Sequence, residues 1–589
     1  MNKRLDFALA AIAGALSAVP LAAVLDAELL NWDDDAVFTG NPDLVGASLV
    51  HWAFSTTLMG HYQPLSWLTW GVLARTAGLQ PAPFHALSLA THAVVVALVY
   101  LTAVRLMHLG GVPTDRARIG AVAGALLFGV HPLRVEPVAW ASAFPYLAAL
   151  ACALLATLAY LASRIRLLAK GPRRSAAGAR PLSFAAVGLF AASLLFRPIA
   201  FGLPLLLLAF DWFPLADGRR SDPRARALRL VASKTPYFVL AIAAAALEWT
   251  ARQDSFSALA AGPRATLALT APFVYLWRTI APFHLSPVDV LPLDVATSPI
   301  AIAGALAGLL AISVLAWRIR KRWPGVLVAW IAFLVLIAPV VALGPTGLQA
   351  TADRYAYLPS VTIAVAIGCA CAVAPGRSVR RVAFAGVALA VCAFGVLAWR
   401  QTPYWHDSIT LWSRAAALDP RNDVALYDLG TALQTAGRAD EAAAAYEATL
   451  RLVPDHAPAQ RNLRGLRAMA QQRRADALAQ SGDLAAAIPL YREALSLDPA
   501  RSRARAALGV ALVQSDDFAA GAAEIERAIR EGIEDPNLVN VQSYALTQLG
   551  RTAEAAKLLQ AAVAKYPDDA NLAHNLALLT GTREPARKK

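Results

Sequence analysis

The chain has 589 residues, 57% of them apolar, and its mean hydropathy is +0.48, which is too apolar for a soluble protein of average composition. The formal net charge is +14, but residues 401–589 hold 22 Lys+Arg against 23 Asp+Glu. The basic excess therefore lies in the apolar residues 1–400. In that context it indicates membrane topology, and we expect no nucleic-acid partner.

Apolar segments of about 20 residues predict membrane helices, and the chain contains eleven of them. The basic start followed by an apolar run resembles a signal peptide, but the many later segments favour an uncleaved first helix. A further segment, 264–283, is ambiguous. The eleven are residues 5–25, 84–107, 118–133, 137–163, 182–197, 198–214, 232–250, 298–317, 324–343, 357–374 and 379–400.

The positive-inside rule orients these segments. With the N-terminus in the cytoplasm, the cytoplasmic loops hold 24 of the 32 basic residues in residues 1–400. This distribution makes 181–214 two short helices that turn near Arg197 and Pro198, and it makes 264–283 an interfacial helix on the outer face. The odd number of crossings places the C-terminus outside. We therefore predict a multi-pass membrane protein with an extracytoplasmic C-terminal region.

The last 190 residues change in character, with a repeat period near 34 residues. Residues 422–455 fit the tetratricopeptide pattern, with Tyr446 between helices and Pro454 ending the second helix. Further copies lie at 473–500, 504–532 and 540–569, and 406–420 resembles the second helix of a degenerate first repeat. The sequence thus predicts an all-α protein: a polytopic membrane domain over 1–400, then a tetratricopeptide α-solenoid over 401–589 that binds a protein or peptide.

Three adjacent carboxylates, Asp33, Asp34 and Asp35, open the longest outer loop, residues 26–83. They follow Trp32, a candidate membrane-interface anchor. These carboxylates repel one another, and solvation is poorer near lipid. Repulsion between them raises their pKa. A carboxylate of this kind can act as a general base toward a hydroxyl group. The alternative is that they only keep the loop hydrated.

Other polar groups fall at predicted outer helix ends, where arginines suit a lipid-linked phosphate. Each of them is also compatible with a structural ion pair or a helix-end hydrogen bond. Neither the four cysteines nor any other pattern predicts a metal site, and we expect no cofactor. The candidate phosphate ligands are Arg354, Arg278, Arg197 and Arg134, and the candidate pocket residues are His61, Tyr62, His85, His131, Glu136, Asp353 and Tyr355.

The ordered set of motifs resembles a known family, the transmembrane-and-tetratricopeptide O-mannosyltransferases of the GT-C class and their bacterial relatives. The resemblance covers nearly the whole chain. Each motif alone is weak, but the order is specific. The motifs are the acidic pair, HYQPLSWLTW (61–70), FHALSLATHAV (84–94), HPLRVEPVAW (131–140), RPIAFGLPLLLLAFDWFPL (197–215), ADRYAYLP (352–359) and the terminal repeats.

The resemblance implies a GT-C-type membrane domain, a sugar donor carried on polyprenyl phosphate, an extracytoplasmic active site and an acidic residue of the first outer loop as the base. The acidic pair matches Asp33 and Asp34 best, with Asp35 as a second register, and Arg354 matches an arginine near the donor phosphate. Two departures stand out. Gln63 replaces a frequent arginine, and ASAFPYL, with Phe144 and Tyr146, replaces a frequent Gly-Arg-x-Asp.

The expected function is thus an inverting transfer of mannose or another hexose to a hydroxyl acceptor, with protein Ser or Thr as the acceptor presented by the repeats. Two alternatives remain. An O-antigen-ligase-type oligosaccharide transferase would carry its key residues in a large late outer loop, whereas the longest outer loop here is the first. A non-catalytic membrane scaffold would tolerate changes at Asp33 and Asp34 and lose function when the repeats are deleted.

Overall fold

The structure is a computed structural model that describes residues 2–169, 172–215, 223–251, 261–290, 298–343 and 349–581. Parts of two predicted cytoplasmic loops, residues 170–171 and 216–222, lie outside these ranges. The chain forms two compact units, Met1–Leu429 and Gly430–Lys589. Each is described by itself below.

The first unit is helical almost throughout, as the sequence predicts. Its described β-structure is one antiparallel ladder between β1 (Asp289–Val290) and β2 (Gln349–Thr351). Its helices are α1 Lys3–Ala18, α2 Leu49–Ser55, α3 Pro64–Ala77, α4 Pro81–Leu109, α5 Thr114–Gly129, α6 Val135–Ala139, α7 Phe144–Ala169, α8 Pro172–Phe196, α9 Leu203–Trp212, α10 Pro223–Ala232, α11 Thr235–Ala251, α12 Ala261–Ile280, α13 Pro299–Ile319, α14 Pro324–Leu343, α15 Ser360–Val373, α16 Arg377–Gln401, α17 Ser408–Leu418 and the start of α18 Asp423–Thr435.

Each of the eleven predicted membrane segments overlaps at least one of these helices. Among the described residues, five helices are long and apolar enough to cross a membrane, or six if the bent pair Thr114–Gly129 and Pro132–Ala139 is one span. Five other apolar helices are shorter, at 10–17 residues. Helix α8 ends at Phe196, directly before Arg197, where the sequence predicts a turn. The number of crossings and their orientation stay predictions.

Two aspartates inside the predicted spans are paired with basic side chains from other segments of the chain. Asp6 of α1 accepts a hydrogen bond of 2.7 Å from Arg118 of α5. Asp211 of α9 accepts bonds of 2.7 Å from Lys234 and 3.0 Å from Arg164. An unpaired charge in lipid is costly, so these pairs fix which helices meet.

Small residues bring α5 and α15 into close contact. A Cβ atom added at Gly120 would lie 2.7 Å from the carbonyl oxygen of Gly368, and one added at Gly124 would lie 2.8 Å from that of Ala364. Spacings of this kind let membrane helices pack backbone to backbone, since lipid provides no hydrophobic force between helices.

The first unit extends beyond residue 400, where the composition changes, and ends at Leu429. The unit extends this far because α17 and the start of α18 pack within it. Trp405, Leu411 and Trp412 are buried there.

The second unit is a series of antiparallel helix pairs. Tyr446 is fully buried between helices, as predicted, because Gly430 leaves space for its ring: a Cβ atom at Gly430 would lie 2.6 Å from that ring. Its helices after α18 are α19 Ala439–Leu452, α20 Ala457–Gln480, α21 Leu484–Leu497, α22 Ser502–Gln514, α23 Phe518–Arg530, α24 Pro536–Gln548, α25 Thr552–Lys565 and α26 Ala570–Thr580.

The contact between α5 and α15 can be tested with one methyl-bearing substitution. We expect Gly120→Val to destabilise the protein by roughly 1–3 kcal/mol, because the new side chain must displace the backbone of Gly368. Thermal unfolding in detergent measures the effect. Gly386→Val, at a helical glycine with open space around it, is the matched control. Equal unfolding temperatures for the two variants would contradict the packing.

Candidate functional site

The backbone of the acidic triplet turns sharply. Asp33 has a φ of 63°, in the left-handed region that aspartate tolerates better than most residues. A five-residue π-helix, Asp35–Thr39, follows directly. Short π-helices are frequent at functional sites because they redirect side chains. The three neighbouring carboxylates consequently meet different surroundings.

Asp34 is buried and holds the loop together. Its Oδ2 accepts a hydrogen bond of 3.0 Å from the backbone N–H of Leu30. Its Oδ1 accepts from the backbone N–H of Ser142, at 2.9 Å, and from the Ser142 hydroxyl. Burial raises the pKa of Asp34 to about 7, although these hydrogen bonds oppose the rise. Both oxygens are engaged, so Asp34 acts in the structure as an anchor between the acidic loop and the start of α7.

Asp33 is half-buried and Asp35 is exposed. Burial is the largest cause that raises the pKa of Asp33, and the nearby charges of Arg354 and Arg197 lower it. The charge of Asp35 adds a smaller rise. The rise in the pKa of Asp33 agrees with the expected direction, and desolvation contributes more to it than repulsion by Asp35 does. An aspartate with a raised pKa between two arginines is suited to accept a proton.

Trp32 is half-buried and packs against two other tryptophans. Its ring centroid lies 5.3 Å from that of Trp140 and 4.9 Å from that of Trp412. The Trp140 indole N–H also donates to the carbonyl oxygen of Trp32, at 2.9 Å. The tryptophans fix the residue directly before Asp33.

Arg354 belongs to a charged cluster beside this aromatic group. Its guanidinium forms an ion pair with Glu136 and lies 4.9 Å from the ring centroids of Trp140 and of Tyr355. Glu136 also accepts from the backbone N–H of Asp353, at 2.9 Å. The Asp353 carboxylate accepts from Arg278, also at 2.9 Å. Five predicted site residues thus form one connected group: Glu136, Arg278, Asp353, Arg354 and Tyr355.

Arg197 is the centre of a second cluster. Its guanidinium donates to the side-chain oxygen of Gln63 at 2.8 Å, to Nε2 of His61 at 2.7 Å and to the hydroxyl of Tyr146 at 3.1 Å. His61 Nδ1 contacts the Glu248 carboxylate at 2.6 Å. Because a guanidinium can only donate, His61 accepts at Nε2 and donates its Nδ1–H to Glu248. Tyr62, next to His61, is half-buried.

The remaining predicted residues have hydrogen-bond partners outside these two clusters. Arg134 is buried between the rings of Phe128 and Tyr357 and donates to the Ser360 hydroxyl at 2.8 Å. His131 contacts the carbonyl oxygen of Thr279 at 3.0 Å. His85 contacts that of Glu28 at 3.3 Å. The two histidines act as hydrogen-bonding groups at helix ends, in line with the structural alternative given for them.

Sequence reasoning missed several residues of the site. Glu248, Ser142 and Trp412 come from distant segments, and no local pattern marks them. Asp428 of α18 also lies close: burial, together with the charges of Asp33 and Asp35, raises its pKa to about 7. Asp428 lies almost 400 positions after the triplet in sequence, so sequence reasoning did not associate this carboxylate with it. Among the described residues, the structure shows no group of three His, Cys, Asp or Glu side chains arranged to hold a metal ion.

The chain is thus an all-α protein with membrane-length helices and a helical-repeat region. Its acidic loop lies within electrostatic reach of Arg354 and Arg197, the arginines of the two clusters. Family models of the tetratricopeptide repeat match residues 392–463, 478–543 and 542–569, which confirms the predicted repeats.

The particular relatives are more distant. The chain is 31% identical over 163 residues to the protein O-mannosyl-transferase Tmtc1 of Drosophila melanogaster, a match that covers 25% of this chain and 18% of that protein. The chain therefore spans less than a fifth of the length of this relative.

Two solved structures of tetratricopeptide-repeat proteins are also similar. The YrrB protein, described as having an unusual peptide-binding site, is 15% identical, with coverage of 33% of this chain and 90% of that chain and a TM-score of 0.19. The repeat domain of P58(IPK) is 11% identical, with coverage of 72% and 96% and a TM-score of 0.21.

The different roles of Asp34 and Asp35 can be separated by stability. In Asp34→Asn, the new amide can no longer accept at both positions, and a buried donor is left facing another donor. We expect a loss of about 1–3 kcal/mol, measured by thermal unfolding in detergent. Asp35→Asn makes the same chemical change at an exposed site, so its unfolding temperature should stay unchanged. An unchanged Asp34→Asn variant would show that the carboxylate is not an anchor.

Proposed function

We propose that the chain is a membrane glycosyltransferase of the GT-C type. It transfers a hexose, such as mannose, from a polyprenyl-phosphate donor to a hydroxyl acceptor on the outer side of the membrane. One observation carries the proposal: Asp33, half-buried with a raised pKa, lies within electrostatic reach of both Arg354 and Arg197. The partial similarity to a protein O-mannosyl-transferase supports the same reaction class.

Asp33 is the general base in the proposed mechanism. Its carboxylate takes the proton of the acceptor hydroxyl while the acceptor oxygen attacks the anomeric carbon from the face opposite the phosphate. The bond between that carbon and the phosphate oxygen breaks, and the lipid phosphate leaves with the electron pair. The configuration inverts in this single step. Arg354 and Arg197 stabilise the charge that develops on the departing phosphate, so the step needs no metal.

A cavity in the first unit supports a lipid donor. It has a volume of about 470 Å³ and a mostly apolar lining. Ala200 and Leu358 line it, three residues after Arg197 and four residues after Arg354 in sequence. The cavity continues past Leu203 and Val361 to Cys369. Residues a few positions after each arginine thus line an apolar space that suits an isoprenoid chain.

The repeats supply the acceptor in this proposal. Solenoids of this type hold peptides or proteins on their concave surface, and protein Ser or Thr is the acceptor we propose. The predicted topology, with residues 26–83 and the repeats both outside, gives the acidic loop and the repeats a common compartment. The same topology makes the chain a multi-pass protein of the bacterial inner membrane.

The role of Asp33 is tested by a matched pair of substitutions. Membranes carrying the full chain receive labelled polyprenyl-phosphate hexose, and label on protein is counted. We expect Asp33→Asn to lower transfer by roughly 10²–10⁴-fold, because the amide cannot accept the proton. Asp35→Asn, an identical change next to it on the exposed side, should retain transfer. Full activity of Asp33→Asn would show that Asp33 is not the base. If deletion of the repeats abolishes transfer while Asp33→Asn does not, the result would indicate a non-catalytic scaffold.

The lipid cavity predicts a dependence on donor chain length. Ala366 lines the cavity, so Ala366→Phe should raise KM for a long polyprenyl-phosphate hexose. A donor with a single isoprene unit should be unaffected, because its tail does not reach that depth. Ala388→Phe, on an exposed face of α16, is the matched control. Equal effects of Ala366→Phe on the long and the short donor would place the lipid elsewhere.

A further inference from the structure

The backbone just before Asp33 is held by a segment from the other end of the first unit, residues 402–428. The N–H of Glu28 donates to the carbonyl oxygen of His406, at 2.8 Å. The N–H of Asn31 donates to the hydroxyl of Ser408, at 2.9 Å. These contacts join residues more than 370 positions apart in the chain.

The side chain of Asn31 completes the connection. Its amide N–H donates to the carbonyl oxygen of Asp428, at 3.1 Å, and its oxygen accepts from the indole N–H of Trp412, at 2.6 Å. The Trp412 ring also packs against Trp32, with ring centroids 4.9 Å apart. Backbone and side chain of Asn31 are thus fixed by three residues of α17 and α18.

This fixation falls immediately before a residue with an unusual backbone conformation. Asp33 has a φ of 63°, which persists only where the surroundings determine it. Asp34 anchors the loop on the far side of Asp33 through Ser142. Residues 402–428 provide the anchor on the near side, so the orientation of the Asp33 carboxylate depends on both.

We propose that Ser408 and Trp412 are positioning residues for Asp33, and that residues 402–428 form part of the reaction site although they belong to the start of the repeat region by sequence. The inference rests on the proposed function. It assigns to the first-repeat segment a role in the chemical step, separate from acceptor binding by the later repeats.

A positioning role has a kinetic signature that a purely structural contact lacks. A misplaced base lowers kcat and leaves the KM of the lipid donor unchanged, since the donor binds at the arginines. A loosened loop also admits water to Asp33. Because burial raises the pKa of this carboxyl, hydration lowers it, and the acid limb of the pH profile moves to lower pH. The charged groups facing Asp33 are Arg354, Arg197, Asp34, Asp35 and Asp428, and all remain in the variants.

The experiment uses full-length chain in membranes with polyprenyl-phosphate hexose as the donor. Ser408→Ala removes one hydroxyl, and Trp412→Phe keeps an aromatic ring but removes the indole N–H. We expect each to lower kcat by about tenfold, with an unchanged donor KM and an acid limb shifted to lower pH. Ser408→Thr keeps the hydroxyl and should restore the original kcat and pH profile.

The controls are a second tryptophan and serine pair whose hydrogen bond does not involve the acidic loop. The indole N–H of Trp330 donates to the Ser313 hydroxyl at 3.0 Å, so Trp330→Phe and Ser313→Ala remove the same kind of bond. If Ser408→Ala and Trp412→Phe lower kcat no more than these controls, or leave the acid limb in place, the inference is overturned. Asp33→Asn distinguishes failure of the proposed function from failure of this inference. Full activity of Asp33→Asn would refute the proposed function. If Asp33→Asn is inactive while Ser408→Ala and Trp412→Phe are unaffected, only the inference is refuted.

Discussion

The site depends on one buried carboxylate. Asp34 accepts hydrogen bonds from Leu30 and Ser142 with both oxygens, and this joins the acidic loop to the segment just before the helix Phe144–Ala169. A buried carboxylate is stable only when its oxygens find such donors. The left-handed backbone of Asp33 gives this residue surroundings that differ from those of the fully buried Asp34. Adjacent residues of one type therefore divide into an anchor and a candidate base.

The sequence predicted the elements far better than the site. Apolar length placed a helix in each of the eleven segments, and the repeat period located Tyr446 between helices, because both signals are local and periodic. The resemblance grouped Asp33 and Arg354 as candidates, but it could not separate Asp33 from Asp34. That separation depends on which carboxylate meets Ser142, which lies 108 residues away in the chain from Asp34. Trp412 and Asp428 were missed for the same reason.

The boundary between membrane domain and repeats illustrates a second limit. Composition changes near residue 400, yet the compact unit ends at Leu429. Composition reports whether a segment prefers lipid or water, whereas compactness reports which side chains pack together. The segment 402–428 is polar enough to lie in water, but Trp405 and Trp412 bury their rings within the first unit. A change in solvent preference along the chain therefore need not coincide with the boundary of a compact unit.

The two departures from the resembled motifs converge on one side chain. Gln63 and Tyr146 both accept hydrogen bonds from Arg197, and neither carries a charge. Arg354, by contrast, is paired directly with the carboxylate of Glu136. A guanidinium held by uncharged groups keeps more of its positive field for an incoming anion than one neutralised by a carboxylate. Glu248 contacts Nδ1 of His61, and Nε2 of the same ring accepts from Arg197. In the proposed reaction, Arg197 therefore offers a donor phosphate the less neutralised positive charge of the two arginines.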